Sequence, residues 1–210
     1  MKDMKTISRE IVLNGLTPIL FDRYSGNNKE QLGTMDKIYQ EGEYLVLPST
    51  NILSFLSAQN TESATQRVVG RGYKEVCKAA LSFVMINPGK SIMIPFLRDG
   101  KLLKVTDADL KIHYAVAKIM KGKLAIPNPK ERPMLDCPWE LKFDLELLET
   151  PELNEVLLKR IFEKGGLAVG LGTFRGVFGK FNVKSWDDGL SKHSLSVDSS
   201  LYQSRKSPSS

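Results

Sequence analysis

Residues Gly165 to Lys180 concentrate the side chains of this chain best suited to hold a polyanion. The stretch carries six of the sixteen glycines, where average usage of roughly 7% would place about one. Glycine gathers where backbone takes positive φ or approaches another molecule closely. Gly170, Gly172, Gly176 and Gly179 would let backbone N–H groups cradle a phosphate. Arg175 and Lys180 supply charge, and Phe174 or Phe178 could stack on a base, a contact worth about 1–3 kcal/mol. The simpler alternative is a loop that only turns a helix back onto its sheet. Phe178 and Phe181 lie an odd number of residues apart, so on a strand they face opposite ways and one is expected in the core.

Two weaker groups of cation and phosphate binders stand upstream. Ser49, Thr50 and Asn51 precede the apolar Ile52, Leu53, Phe55 and Leu56. They would either cap a helix or present its free N–H groups to a phosphate. Arg67, Arg71, Lys74 and Lys78 would extend a groove that tracks a phosphate backbone, or simply form a solvated face.

Catalytic chemistry has little to work with. Of the two histidines, His193 falls in the C-terminal tail and His113 is the one candidate general base for a metal-independent ribonuclease. A lone histidine is more often structural. There is no phosphate-binding loop of the Walker type, no His-Glu-x-x-His and no Cys/His cluster, so neither metal nor cofactor is expected.

The elements that must position these residues follow from periodicity. Ile7 to Phe21 reads as an opening strand broken at Asn14-Gly15 and Pro18, and 22–34 as a loop. Ile38 to Leu47 is a short extended segment, followed by a helix from Ser49. Residues 59–72 read as a polar loop. Tyr73 to Met85 has a helical apolar face of Val76, Ala79, Ala80 and Phe83. Ile92 to Leu97 and Leu102 to Val105 form a hairpin about Asp99-Gly100. Ile112 to Met120 reads as a strand and Ala125 to Pro133, with three prolines, as an extended connector. Trp139, Leu141, Phe143, Leu145 and Leu147 alternate with charged residues, the period of a half-buried strand. Thr150-Pro151 marks a helix start, with Leu153, Val156, Leu157 and Ile161 as its apolar stripe and Gly165 as its left-handed cap. Phe181, Val183 and Trp186 form a last strand.

At 210 residues and a net charge of +6, the chain fits one domain or two small packed ones, with a moderate basic excess. Residues 187–210 hold three cations and three acids, so the surplus lies in the preceding part. Leu110 to Lys130 contains five lysines and no acid. Cys77 and Cys137 cannot build a disulfide framework or a paired metal site. No leader pattern opens the chain, and no apolar run approaches the length of a membrane span. A cytoplasmic protein is expected, with residues 1–186 as one domain and 187–210 as a disordered Ser-rich tail.

The order strand, helix, Glu163-Lys-Gly-Gly-Leu-Ala-Val-Gly-Leu-Gly-Thr-Phe-Arg-Gly-Val-Phe-Gly-Lys-Phe-Asn-Val183 resembles the C-terminal signature of the RAMP superfamily. These are the repeat-associated proteins of CRISPR effector complexes, with relatives in phages and mobile elements. Tyr44-Leu-Val-Leu-Pro-Ser-Thr-Asn-Ile-Leu-Ser-Phe-Leu56 is similar to a segment found early in many of them. The resemblance implies an α+β, ferredoxin-like (RRM-like) antiparallel sheet with helices on one face and with insertions. It implies a non-catalytic protein that binds single-stranded nucleic acid, RNA foremost, through the Gly-rich loop. Self-association along RNA, or contact with other effector subunits, would accompany it. An endoribonuclease using His113, or a phage protein using the fold for contacts with a host complex, are the alternatives it leaves.

Overall fold

The computed structural model describes residues 5–27, 32–58, 62–121 and 124–188, with the side chains of 117–125 outside the description. In chain order its strands and helices are β1 (Thr6–Gly15), β2 (Ile19–Leu20), β3 (Gln40–Glu41), β4 (Tyr44–Pro48), α1 (Ser49–Ser57), α2 (Ala64–Val69) and α3 (Tyr73–Phe83). There follow β5 (Val84–Ile86), β6 (Met93–Arg98), β7 (Lys101–Leu102), β8 (Lys111–Lys121), β9 (Leu124–Leu135), β10 (Glu140–Leu148), α4 (Glu155–Ala168) and β11 (Phe181–Asp188).

Four strands and two helices give the frame its order. β1, α3, β5, β10, α4 and β11 follow a βαββαβ path, and the strands stand side by side as β11-β1-β10-β5, each antiparallel to its neighbour. That is the ferredoxin-like arrangement, α+β as expected. β6 takes over from β5 along β10 at Glu140 and Leu141 and carries β4, β3 and β7 as an extension. Pro95 explains the hand-over. After Leu141↔Phe96 the next partner would be Pro95, which has no N–H to give β10; it pairs Val46 of β4 instead.

One face of the sheet is apolar. Ile11, Leu13, Leu141, Phe143 and Leu145 are buried against Phe55, Val76, Ile161 and Phe162 of the helices. Toward β5 and β6 the other face carries Met85, Leu97 and Leu102, but over β1 and β10 it is polar, as the alternation in β10 requires. There Glu10 pairs with Lys142 at 2.9 Å, and Glu140 and Asp144 pair with Lys184 and Lys90.

Several expectations need correction. Residues 64–69 are not loop but α2, capped by Ser63, whose Oγ accepts from Gln66 N at 3.2 Å. Its six residues show too little apolar period to stand out, yet Ala64 is fully buried. The predicted helix over 73–85 stops at Phe83, because Val84 to Ile86 pair with β10 as β5. The Pro-rich stretch is not a connector but part of β9, paired with β8 from Leu124 to Met134. Pro127, Pro129 and Pro133 fall on one parity, so their missing N–H groups all lie on the edge away from β8. Pro133 O points that way, accepting from Phe21 N at 3.0 Å. The ladder therefore loses no donor.

Around α4 the errors are local. Thr150 closes a turn with Leu153 rather than starting the helix (Leu153 N to Thr150 Oγ1, 3.1 Å). Asn154 is the cap, its Oδ1 accepting from Leu157 N at 2.9 Å. Val156 is not part of the apolar stripe but 79% exposed; Leu158 takes that place. Gly165 is no terminal cap, since α4 runs on to Ala168. A Cβ there would lie 2.3 Å from Ala64 Cβ, so the glycine lets α2 and α4 touch. At the start of α1, Ser49, Thr50 and Asn51 do not cap: Pro48 occupies that position, without a side-chain bond. Asp187 and Asp188, assigned to the tail, close β11 instead; the rest of the predicted tail lies outside the described residues.

Candidate nucleic-acid interface

The Gly-rich segment joins α4 to β11 and divides into a packed base and an open tip. Its base is stitched to residues 16–20 between β1 and β2. Gly179 N donates to Pro18 O (2.7 Å), Thr173 N to Leu20 O (3.1 Å) and Lys180 N to Thr17 Oγ1 (2.9 Å). Leu171 N closes the loop on itself through Gly179 O (2.9 Å). Gly170, Leu171 and Gly179 are buried, whereas Phe174, Gly176 and Val177 are exposed.

Gly170, Gly172, Gly176 and Gly179 all hold positive φ, between 68° and 90°. The expected phosphate cradle does not form at three of them: Gly170 N donates to Gly165 O at 3.4 Å. Gly179 N is bonded to Pro18 O, and Gly176 N donates to Val169 O at 2.7 Å. Gly179 serves tight backbone packing instead, its would-be Cβ 2.0 Å from Leu171 O, whereas Gly176 takes its positive φ with open space around it. The parts left facing outward are side chains.

Phe174 sits at the tip, 52% exposed, with φ of 55°, a conformation that bulky residues rarely adopt. Its ring lies 6.0 Å from Phe178 and 6.5 Å from His113, and His113 lies 4.8 Å from Phe178. The loop thus leans on β8, and three aromatic rings meet beside Arg175. Phe178 is half-buried in the loop and Phe181, the first residue of β11, fully buried, so strand parity does not relate the two. The half-buried Arg175 has its pKa pushed below the usual guanidinium value by burial. Lys180 is half-buried and makes no ion pair among the described residues.

The other expected binders divide. Glu62, just ahead of α2, lines a pocket of about 350 Å³ together with Phe174 and Arg175. Arg67 is bound to this same Glu62 through two nitrogens, at 2.8 and 2.9 Å, and so joins the loop region. Arg71 lies in the turn after α2 and Lys74 at the start of α3; both are exposed, and neither lines that pocket. Lys78 pairs with Glu75 at 2.9 Å. Ser49, Thr50 and Asn51 are not gathered with the loop. α1 starts where Ser49 N bonds Ile92 O (2.7 Å), while its later residue Phe55 reaches Phe181. Of the five lysines in Leu110 to Lys130, the side chains of Lys118, Lys121 and Lys123 lie outside the description.

His113 is a poor general base in this setting. Its Nε2 is buried with no hydrogen-bond partner among the described residues, and its ring is packed against Phe178. A proton-transfer group must instead reach the hydroxyl it deprotonates. Among the described residues no three His, Cys, Asp or Glu side chains are placed to hold a metal ion, and no helix is long and apolar enough to cross a membrane. Sequence reasoning missed Glu62 and the contact of His113 with the loop. Neither carries a local signal, since His113 and Phe178 are brought together only by the fold.

No protein-family model and no curated protein sequence matches the chain. Its fold, however, has a solved counterpart. A chain of the cryo-EM structure of the type III-B Cmr-beta bound to cognate target RNA superposes with a TM-score of 0.54 at 12% sequence identity. The match covers 87% of this chain and 60% of that one, so the present chain spans well under two thirds of its counterpart. The likeness is one of fold.

Proposed function

We propose that this protein binds single-stranded RNA through the tip of its Gly-rich loop, as a non-catalytic subunit of a CRISPR-type ribonucleoprotein or a phage or mobile-element relative of one. The observation that carries the reading is the exposed, strained Phe174 grouped with Phe178 and His113 beside Arg175. Unstacked RNA bases are held by stacking on such rings, with cations nearby for the phosphates. The RAMP signature in Glu163 to Val183 and the fold shared with a chain of Cmr-beta support it. Over β1, β10 and β11 the open sheet face is less suited to a polyanion: Glu10, Glu140, Asp144 and Glu146 outnumber Lys142, Lys184 and Lys90 there.

The test is fluorescence anisotropy of a labelled single-stranded RNA across a salt series. Replacing Arg175 and Lys180 together with Ala removes up to two phosphate contacts. The slope of log affinity against log salt should flatten by about 1.4, with weaker binding at every salt concentration. An unchanged affinity and slope would show that the loop is not the contact.

A further inference from the structure

We infer that the pocket between the Gly-rich loop and Glu62 takes a single unstacked nucleobase, and that Glu62 selects guanine there. The inference rests on the RNA-binding reading above. The pocket, of about 350 Å³, is walled by Val169, Gly172, Thr173, Phe174, Arg175 and Glu62. This is the size of a small-ligand cleft with an apolar floor and few polar groups. Phe174 holds a ring at its mouth, and Arg175 a cation.

Glu62 is the feature that a plain phosphate site does not explain. It is the one carboxylate among the described residues that line the pocket. An acid beside cations meant for a polyanion repels the phosphates unless it is neutralised. Arg67 neutralises it, with Nε 2.8 Å from Oε1 and one terminal nitrogen 2.9 Å from Oε2. That two-point grip also fixes the carboxylate in place. Each carboxylate oxygen has a further lone pair, and a carboxylate can only accept. It therefore sorts bases by the donors on their edges. Guanine offers adjacent N1–H and N2–H donors. Adenine and cytosine offer one amino group next to a ring acceptor. Uracil offers one N–H between two carbonyl oxygens that repel a carboxylate. In single-stranded RNA these edges are open to be read.

The experiment measures binding of the full chain to four labelled twelve-nucleotide RNAs, oligo(U), (UUG)₄, (UUA)₄ and (UUC)₄, by anisotropy. The expected order is G above A and C, with oligo(U) weakest and (UUG)₄ at least about fivefold tighter than oligo(U). Glu62→Ala should bring that ratio to one without weakening oligo(U) binding. Phe174→Ala should weaken all four. Equal wild-type affinity for the four RNAs would overturn the guanine pocket and leave RNA binding by the loop standing. A preference that survives Glu62→Ala, or an equal loss on every RNA in that variant, would overturn it too. Failure to bind any of the four would remove both proposals.

Discussion

Gly176 and Gly179 share a loop and a conformation, yet substituting them with Ala should have very different costs. At Gly179, φ is +68°, and an added Cβ would lie 2.0 Å from Leu171 O, with Leu171 N and C within 3 Å. The left-handed conformation alone costs an Ala residue roughly 1–2 kcal/mol. The backbone clash cannot be relieved by a rotamer change, so Leu171 must move. Movement strains the Leu171 N to Gly179 O and Gly179 N to Pro18 O bonds, each worth about 0.5–1.5 kcal/mol. Gly179→Ala should thus destabilise by about 2–5 kcal/mol in all, which for a chain of this size lowers Tm by about 4–20 °C. Gly176 has φ of +90° but nothing within 4 Å of its would-be Cβ. Gly176→Ala should therefore cost only the conformational part, about 1–2 kcal/mol. Urea unfolding of both variants beside the wild type, followed by far-UV circular dichroism, measures the gap. If the two variants lose equal stability, or Gly176→Ala the more, the division of the loop into a packed base and an open tip is wrong.

Two further substitutions test the frame beneath the loop. Gly166→Ala would place a Cβ 2.6 Å from the Phe181 ring and 2.7 Å from its carbonyl oxygen; it should lever α4 off β11 and cost about 1–3 kcal/mol in the same unfolding assay. Glu155 receives a hydrogen bond from Arg9, which holds its carboxyl below the usual carboxylate range against the opposing effect of burial. Because the folded value lies below the unfolded one, the stability this adds is present above the ordinary carboxylate pKa and lost as pH falls through the folded value. Glu155→Gln should then be less stable than the wild type at pH 7, with the gap closing in acid. A gap that stays constant down to pH 3 would refute the linkage.

Legibility in the sequence followed the length of the periodic signal. β10 announces itself through five alternating apolar residues, and the hairpin of β6 and β7 through Asp99-Gly100, both of which hold positive φ. α2 and β5 are six and three residues long, too short for a period to emerge, and tertiary contacts form them. β9 was concealed by its prolines. Proline argues against a strand only when its missing N–H faces a partner, and parity relative to β8 becomes visible only once the register is known. Within the site, the composition of Gly165 to Lys180 points to the loop and to its exposed Phe174. What the glycines do there was misjudged. Positive φ and close backbone packing look the same in sequence as an anion cradle, and only the acceptors of Gly170 N, Gly176 N and Gly179 N tell them apart. Glu62 was invisible because acid beside a basic loop has no meaning until the fold folds them together.

The distribution of charge decides which side of this fold can meet a polyanion. On the open sheet face Glu10, Glu140, Asp144 and Glu146 stand among Lys142, Lys184 and Lys90. These groups largely neutralise one another and leave a slight acidic excess, while the chain as a whole carries +6. The positive surplus must therefore lie elsewhere. Arg71 and Lys74 make no ion pair among the described residues and sit off that face, in the turn after α2 and at the start of α3. If the protein binds RNA as proposed, charge would turn the strand away from the sheet, the surface that RNA-recognition folds of this topology use when it bears aromatic rings. Under the proposed function it would be drawn instead toward the tip of the loop between α4 and β11, where Phe174 and Arg175 line one pocket. Under that reading sheet and loop would act together: the ion pairs of the sheet would leave it a poor landing site, and the packed base of the loop would keep Phe174 and Arg175 presented to the strand.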